Sequence, residues 1–571
     1  MHVSTRRRLH RSTAVVIAAA TMALTAPSAG AVTGSADPSR FIVKVSAESG
    51  NCSGVLTAPQ WILTSSACFP DTTAPGASTH PVTATVGSTD LGGTTGYRLA
   101  INAVVPQSGR PLVLARLATP VTDTAPITLA ATPVQAGETL QVAGYGRTAT
   151  EWVPNQPHVT TVTAGTPATT TFPATSATGP TTCRGDAGGP AYRTTGSGPE
   201  LVGLNHSSWQ NGCLGETETR TGATEIRVDD LHDTLTTQMN SPILTRYLGL
   251  GGANSFLGSP VGNEYTVAGG SGQDYQHGAI YYSAATGAHI VQDDILTKYK
   301  AIGGPTAIGF PLTDQNTTPD GVGRYNHFSL GGGASIYWTP ATNAHVVQGS
   351  IHEKWAALGW ERGLGYPVTD EVTITGITGE SGRYTDFSHP DTASIYWSPA
   401  SGTHEIQGDI RKKWLSLGGA PKLGFPTTDE STTPDGVGRY NHFNHPDGLS
   451  VYWSSASGAH HIQGAIRNKW ADYGWETGFG YPTTDETVTS DGVGRYNHFT
   501  NNASVYWTPA TAAHAVFGSI RETWAGLGWE NSRLAYPTSD EYDVTGGRRN
   551  DFQHGNITWT SANNTTQVTY F

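Results

Sequence analysis

The chain has 571 residues, enough for several domains of ~100–200 residues each. Only 14% of residues are charged and 70 are glycine, which fits a loop-rich, β-rich exported protein and not a helical cytosolic one. The net charge of −12, with no basic tract beyond the N-terminal one, argues against nucleic acid as a partner.

Residues 1–31 read as an export signal. Arg6, Arg7, Arg8 and Arg11 form a basic start, and Ala14 to Ala26 is apolar but too short to span a bilayer. Ala29-Gly30-Ala31 offers the cleavage site, and either Sec or twin-arginine export fits. No later apolar run reaches ~18 residues. The mature chain is therefore expected outside the cell, soluble or wall-associated, without membrane insertion. Cys52, Cys68, Cys183 and Cys213 imply disulfides in an exported chain. Four cysteines allow three pairings, of which sequence proximity favours Cys52–Cys68 and Cys183–Cys213.

From Val32 to about Leu235 a series of landmarks follows in order. Phe41 to Val45 alternates as a strand, and Cys52-Ser53-Gly54 leads into Trp61-Ile62-Leu63-Thr64-Ser65-Ser66-Ala67-Cys68. Gly144-Tyr145-Gly146-Arg147-Thr148, Cys183-Arg184-Gly185-Asp186-Ala187-Gly188-Gly189-Pro190 and Ser208-Trp209-Gln210 before Gly212-Cys213 complete the set. This stretch (32–235) resembles the trypsin-like family, and the resemblance implies two packed antiparallel β-barrels. In that family the histidine precedes the cysteine of LTAAHC, where this chain has Ala67. The aspartate position holds Pro111 and the serine position of GDSGGP holds Ala187. The mechanism needs a hydroxyl nucleophile, an imidazole base and a carboxylate to orient it. On the resemblance the domain is not an enzyme, the alternative being an active group displaced to Ser65 or Ser66.

What persists around those positions suits binding. Gly185 and Ala187 keep the two amides of an oxyanion hole, and Asp186 stands where the family pairs a carboxylate with a newly freed N-terminus. Cleavage before Val32 would create such an amine; the alternative is a solvated Asp186. The specificity position falls on Thr181, not an acid, and Gln210 replaces a glycine that lets small substrates pass. A partner peptide is expected along Ser208-Trp209-Gln210 by strand addition, the alternative being an empty scaffold.

From about Pro242 to Phe571 the chain repeats with a period of roughly 51–59 residues. The motif runs Leu257-Gly258-Ser259-Pro260, Ile308-Gly309-Phe310-Pro311, Leu364-Gly365-Tyr366-Pro367, Leu423-Gly424-Phe425-Pro426, Phe479-Gly480-Tyr481-Pro482 and Leu534-Ala535-Tyr536-Pro537. An aspartate follows the later prolines (Asp314, Asp370, Asp429, Asp485, Asp540), and RYNHF and IYW elements recur with them. These are identified as LGFP repeats (242–571). Each unit reads as short helix, LGFP turn and β-hairpin that cannot bury its own apolar face. A closed propeller-like ring of five or six modules, or failing that an open solenoid, is expected, so the whole chain is mainly β.

The resemblance implies binding to cell-wall glycan. The candidate contacts are Asp314, Asp370, Asp429 and Asp485 with Tyr337, Tyr396, Tyr452 and Tyr506, since aromatic faces pack on sugar C–H surfaces and carboxylates bond hydroxyls. Strand alternation places Trp338, Trp397, Trp453 and Trp507 with the isoleucine or valine of the same strand, toward the core. The aspartates have a second reading as turn caps. No metal-ligand spacing stands out and no cofactor is expected. The pairing of a degenerate protease domain with a lectin-like array resembles the adaptor subunits of actinobacterial umbrella toxin particles. That resemblance implies a protein partner in the cleft, such as a linking subunit, and a glycan at the array. The alternative is a stand-alone wall-bound adhesin.

Overall fold

The computed structural model describes residues 40–571 apart from residues 49 and 178, so the export signal and Val32 lie outside the described residues. The chain is mainly β and divides into two compact units, the boundary falling between Met239 and Asn240.

In the first unit, β1 (Ile42–Ala47), β2 (Gly50–Ala58), β3 (Trp61–Ser65), β4 (Val82–Val86), β5 (Tyr97–Pro106) and β6 (Leu112–Leu117) close a barrel in the order β1-β2-β3-β6-β5-β4. Val82, Ala84 and Val86 point inward while Thr83 and Thr85 are half-exposed, the alternation of a one-sided antiparallel strand. The remaining strands are β7 (Thr128–Leu129), β8 (Thr139–Gly144), β9 (His158–Ala164), β10 (Thr171–Thr175), β11 (Pro190–Thr195), β12 (Gly198–Ser208) and β13 (Ala223–Arg227). Six of them run β11-β8-β9-β10-β13-β12, and a β11–β12 pairing closes a second barrel. Strand β7 adds in parallel to β12. The disulfides are Cys52–Cys68 and Cys183–Cys213.

The second unit holds six four-stranded antiparallel sheets, spanning residues 260–291, 316–348, 372–407, 431–463, 487–517 and 542–570. Each is a meander, so the expected hairpin is the centre of a wider sheet whose outer strands satisfy its edges. Helices Pro242–Gly249, Asp293–Ala301, Gly349–Ala357, Gly408–Ser416, Gly464–Asp472 and Gly518–Leu527 each precede a sheet and pack on it.

One aromatic per helix wedges between neighbouring sheets. Trp470 is fully buried, edge-on to Tyr452 of the sheet before (4.7 Å) and 5.5 Å from Phe499 of the sheet after. Trp355, Trp414 and Trp524 repeat this arrangement, and Tyr299 does so at the first junction. The LGFP glycine serves this wedge. Its φ is positive at every copy (Gly309 80°, Gly424 80°), and its carbonyl accepts the Tyr299 hydroxyl at 2.6 Å and the Trp414 indole N–H at 3.3 Å. In the sixth copy Ala535 takes the same left-handed conformation, at φ 56°.

Candidate functional site

The barrel strands bring together the segments that carry Ala67, Pro111 and Ala187. Ala67 lies in a single 3-10 turn after β3, and the Ser66 N–H donates to the Pro111 carbonyl at 3.1 Å. The loop carrying Ala187 packs onto the same strand end: a Cβ on Gly188 would lie 2.3 Å from the Ser65 nitrogen. Ser53 N–H holds the Ala187 carbonyl at 3.0 Å. The segments that carry Ala67, Pro111 and Ala187 thus pack against one another. The hydroxyl of Ser65 is buried and accepts the Ala67 N–H at 3.2 Å as a turn cap.

Asp186 is almost fully buried and already held by three donors. The amides of Gly146 and Cys183 bond its oxygens at 2.7 and 2.8 Å, and His158 Nε2 lies at 3.0 Å. Burial disfavours the imidazolium, but the hydrogen bond and charge of Asp186 outweigh it and raise the His158 pKa. The amine expected to pair with Asp186 lies outside the described residues; within them His158 takes that role. The Gly185 and Ala187 amides donate to no other group among the described residues.

Gln210 links several segments through its side-chain amide. Its carbonyl accepts the Arg184 N–H at 2.9 Å and Arg147 Nη2 at 3.2 Å, while its amide donates to Ser208 Oγ at 2.5 Å. Ser208 in turn donates to the Thr182 carbonyl at 2.5 Å, and Thr181 is buried beneath. One side chain thus ties the Arg184 loop to the end of β12. Above them the edge remains open: β12 pairs with β11 only as far as Leu204, and Ser207 and Ser208 pair with β13 alone. Trp209 is 48% exposed there, with the Arg220 guanidinium 3.6 Å over its ring.

A feature the sequence did not mark lies behind this loop. Glu225 on β13 is fully buried, and neither carboxylate oxygen has a hydrogen-bond partner among the described residues. Burial, with the charge of Asp186, pushes its pKa up to about 8. Its cross-strand neighbour Asn205 donates to the Ala143 and Asp186 carbonyls, while Asn205 Oδ1 is unpartnered.

In the repeats the structure redistributes the candidates. Tyr337, Tyr396, Tyr452 and Tyr506, expected at a glycan surface, are core residues 2 to 4% exposed, each packed on the helix tryptophan of its repeat. Alternation misassigned them because successive residues of these strands are buried on both faces in the second to fifth sheets, so the exposed aromatic is the one nearest the strand end. That residue is Trp338, Trp397, Trp453 or Trp507, each half-buried where the core was expected.

The aspartates are clasps between repeats. Asp370 accepts the Val346 N–H at 3.0 Å and Lys298 Nζ at 2.6 Å, with His345 Nδ1 at 3.3 Å. Asp429, Asp485 and Asp540 repeat the pattern with Lys354, Lys413 and Lys469, and Asp314 does so with Arg246. Burial works against the charged form at Asp370, but histidine, lysine and amide donors together hold the carboxyl well below the usual range.

Four equivalent clefts open between successive sheets. The second is lined by Gln348, Gly349, Ile351, Glu371, Arg383 and Trp397. Arg383 is the cross-strand partner of Trp397 and bonds Glu371 at 2.9 Å. The same trio is Arg439, Trp453 and Glu430 in the third cleft and Arg495, Trp507 and Glu486 in the fourth. In the first, Arg324 and Trp338 stand with Gln315 and Asp293. Cavity volumes run from about 200 to about 510 Å³. Burial pushes Glu430 up to about 7 against the pull of Arg439. The signal that could have found these clefts is the Arg of each RYNHF-like strand recurring opposite the Trp of the strand that follows it. At the sixth sheet Phe517 stands where the other junctions have glutamine and packs 5.7 Å from Arg548.

Among the described residues no helix is long and apolar enough to cross a membrane, and no cluster of side chains suits a metal ion. The trypsin family model matches residues 30–233, and the LGFP repeat model matches six times, over 257–306, 308–363, 364–421, 423–478, 479–532 and 534–570. No curated protein matches the chain. Among solved structures, mouse neuropsin, described as a serine protease expressed in the limbic system of the brain, is 17% identical, with 35% of this chain and 95% of that one covered at a TM-score of 0.29. The LGFP matches together take in more than half of the sequence, so the chain belongs to the LGFP-repeat family and carries a trypsin-like domain ahead of its repeats.

Proposed function

We propose that this is a secreted, non-catalytic binding protein with two working ends. The observation that carries it is the convergence of Ala67, Pro111 and Ala187, by way of Ser66 and Gly188, at one place in the trypsin-like unit. With no group there to attack or to take a proton, the cleft's remaining assets are an unpaired strand edge at Ser207–Ser208, an exposed Trp209 and two undirected amides. A protein partner adds along that edge. Because Gln210 ties the pocket walls together, recognition rests on backbone pairing and the Trp209 surface, not on an inserted side chain. Gly188 and Gly189 do not bear on this, since packing alone demands them: a Cβ at Gly189 would lie 2.1 Å from the Ala143 carbonyl.

The LGFP array is the second end and holds the protein to cell-wall glycan, in keeping with its family and with an extracellular, disulfide-bonded chain. The combination suits a targeting subunit of an antibacterial toxin particle, in which many weak sugar contacts gain avidity by multiplicity. The test is affinity purification from the native culture supernatant followed by mass spectrometry. A stoichiometric partner released by substitutions at Ser208 and Trp209 supports the reading. Recovery of this chain alone, or peptidase activity abolished by a serine-directed inhibitor, overturns it.

A further inference from the structure

We propose that the four inter-sheet clefts each bind one uncharged sugar unit, with the half-exposed tryptophan (Trp338, Trp397, Trp453, Trp507) as the stacking platform. This rests on the glycan-binding reading and adds the site and the ligand's charge class.

Every cleft offers the same complementary set. The indole gives a flat apolar face for the C–H surface of a sugar ring. The arginine beside it gives paired N–H donors, and the carboxylate or amide at Glu371, Glu430, Glu486 or Gln315 gives acceptors, so vicinal hydroxyls find both halves of their hydrogen-bonding needs. The helix entering each cleft starts after Gln292, Gln348, Gln407 or Gln463, and none of these caps it with a side-chain hydrogen bond. The volumes, about 200 to about 510 Å³, suit one or two sugar rings and not a folded polypeptide.

Charge decides the class. A phosphate- or uronate-bearing polymer needs uncommitted positive charge, and the clefts hold none. Each lining cation is already paired: Arg324 with Asp293 at 3.0 Å, Arg383 with Glu371 at 2.9 Å, Arg439 with Glu430 at 3.6 Å, Arg495 with Glu486 at 3.5 Å and, in the third cleft, Lys412 with Asp409 at 3.1 Å. The positive end of the helix is also occupied, since Glu486 accepts the Gln463 N–H at 3.2 Å and Gln315 accepts the Gln292 N–H at 3.1 Å. Acidic side chains equal or outnumber basic ones in every cleft. An anionic ligand would meet repulsion there, whereas a neutral one loses nothing.

The experiment measures binding of the full chain to neutral galactan, mannan and arabinan, to a poly(glycerol phosphate) teichoic acid and to chitosan, with whole actinobacterial walls as the reference. At least one neutral polysaccharide binds, and raising NaCl from about 0.05 to about 0.5 M changes its affinity by less than about 2-fold, since no ion pair with the ligand is screened. The triple variant Trp397→Ala, Trp453→Ala, Trp507→Ala loses at least about 10-fold through both stacking and multiplicity. The isosteric variant Glu371→Gln, Glu430→Gln, Glu486→Gln, which keeps the clefts filled, weakens binding without altering the circular dichroism spectrum. Walls bound equally well by wild type and both variants, or binding confined to teichoic acid or chitosan and abolished by salt, overturn the site while leaving glycan binding intact. A wild-type chain that binds no wall or polysaccharide removes the glycan reading itself.

Discussion

Lys354 donates to both carboxylate oxygens of Asp429, at 3.0 and 2.8 Å, across 75 residues of sequence. The lysine sits on the helix before the third sheet and the aspartate at the turn before the fourth, while the same carboxylate takes the Glu405 N–H of the strand between them. Asp429→Asn keeps the shape and removes the charge. It should cost about 1–2 kcal/mol, at the low end for a charged hydrogen bond because Asp429 is 39% exposed, read as a lower urea midpoint for the repeat unit. The folded carboxyl titrates well below its ordinary value of 3.8, although burial opposes this, because histidine, lysine and amide donors stabilise the charge. Its contribution is therefore complete above about pH 4 and is lost as pH falls through the depressed folded value. A variant whose acid unfolding curve overlies wild type from pH 5 downward would show the clasp to be ornamental.

Glu225 has the opposite sign. Its folded pKa of about 8 lies above the ordinary 4.5, so between those values the folded state binds a proton that the unfolded state does not. Stability falls as pH rises through that window, and the penalty is complete above about pH 8. Glu225→Gln stays neutral throughout. Its thermal midpoint should match wild type near pH 4.5 and exceed it increasingly toward pH 9, by an amount worth a few kcal/mol, roughly 2–5. Parallel melting profiles for the two proteins across that range would count against a buried neutral carboxyl.

Trp470→Ala removes a fully buried ring that touches the sheets on both sides. A loss of about 3–5 kcal/mol is expected from the cavity and lost burial. The loss should appear in the repeat unit's unfolding transition and leave the trypsin-like unit's transition in place. Equal shifts of both transitions in differential scanning calorimetry would contradict the division at Met239.

The cleft can be interrogated by repair. Ala67→His, Pro111→Asp and Ala187→Ser together should restore labelling by a small fluorophosphonate, on the order of 10³-fold over wild type, because the scaffold already juxtaposes the three positions. Peptide cleavage should require Gln210→Gly as well, since Gln210 ties the Arg184 loop to Ser208. Peptidase activity in the triple variant with Gln210 intact would show the pocket to be open.

Local chemistry was legible and long-range chemistry was not. The two disulfides and the landmarks of the trypsin-like unit are local patterns. So is the glycine of the first five LGFP turns, since positive-φ backbone favours that residue. The tyrosines went astray because period-2 alternation separates two faces but cannot tell a solvated face from one covered by the next sheet; Ile336 and Tyr337 are both buried. The clasps were invisible for another reason: a surface-looking lysine and an aspartate some 70 residues later carry no joint signal in sequence. Glu225, in the run Thr224-Glu225-Ile226-Arg227, reads as an ordinary outward-facing strand residue, and only the closure of the second barrel buries it.

Each clasp draws its cation from upstream and its carboxylate from downstream, which gives the array a polarity that copy number must respect. Trimming a sheet from the C-terminal end orphans a lysine, and trimming from the N-terminal end orphans a carboxylate. An array built this way cannot shed or duplicate terminal units without leaving a half-sequestered charge. Duplications inserted between existing repeats, by contrast, bring both halves of the clasp with them, so lengthening is expected from the middle of the array outward.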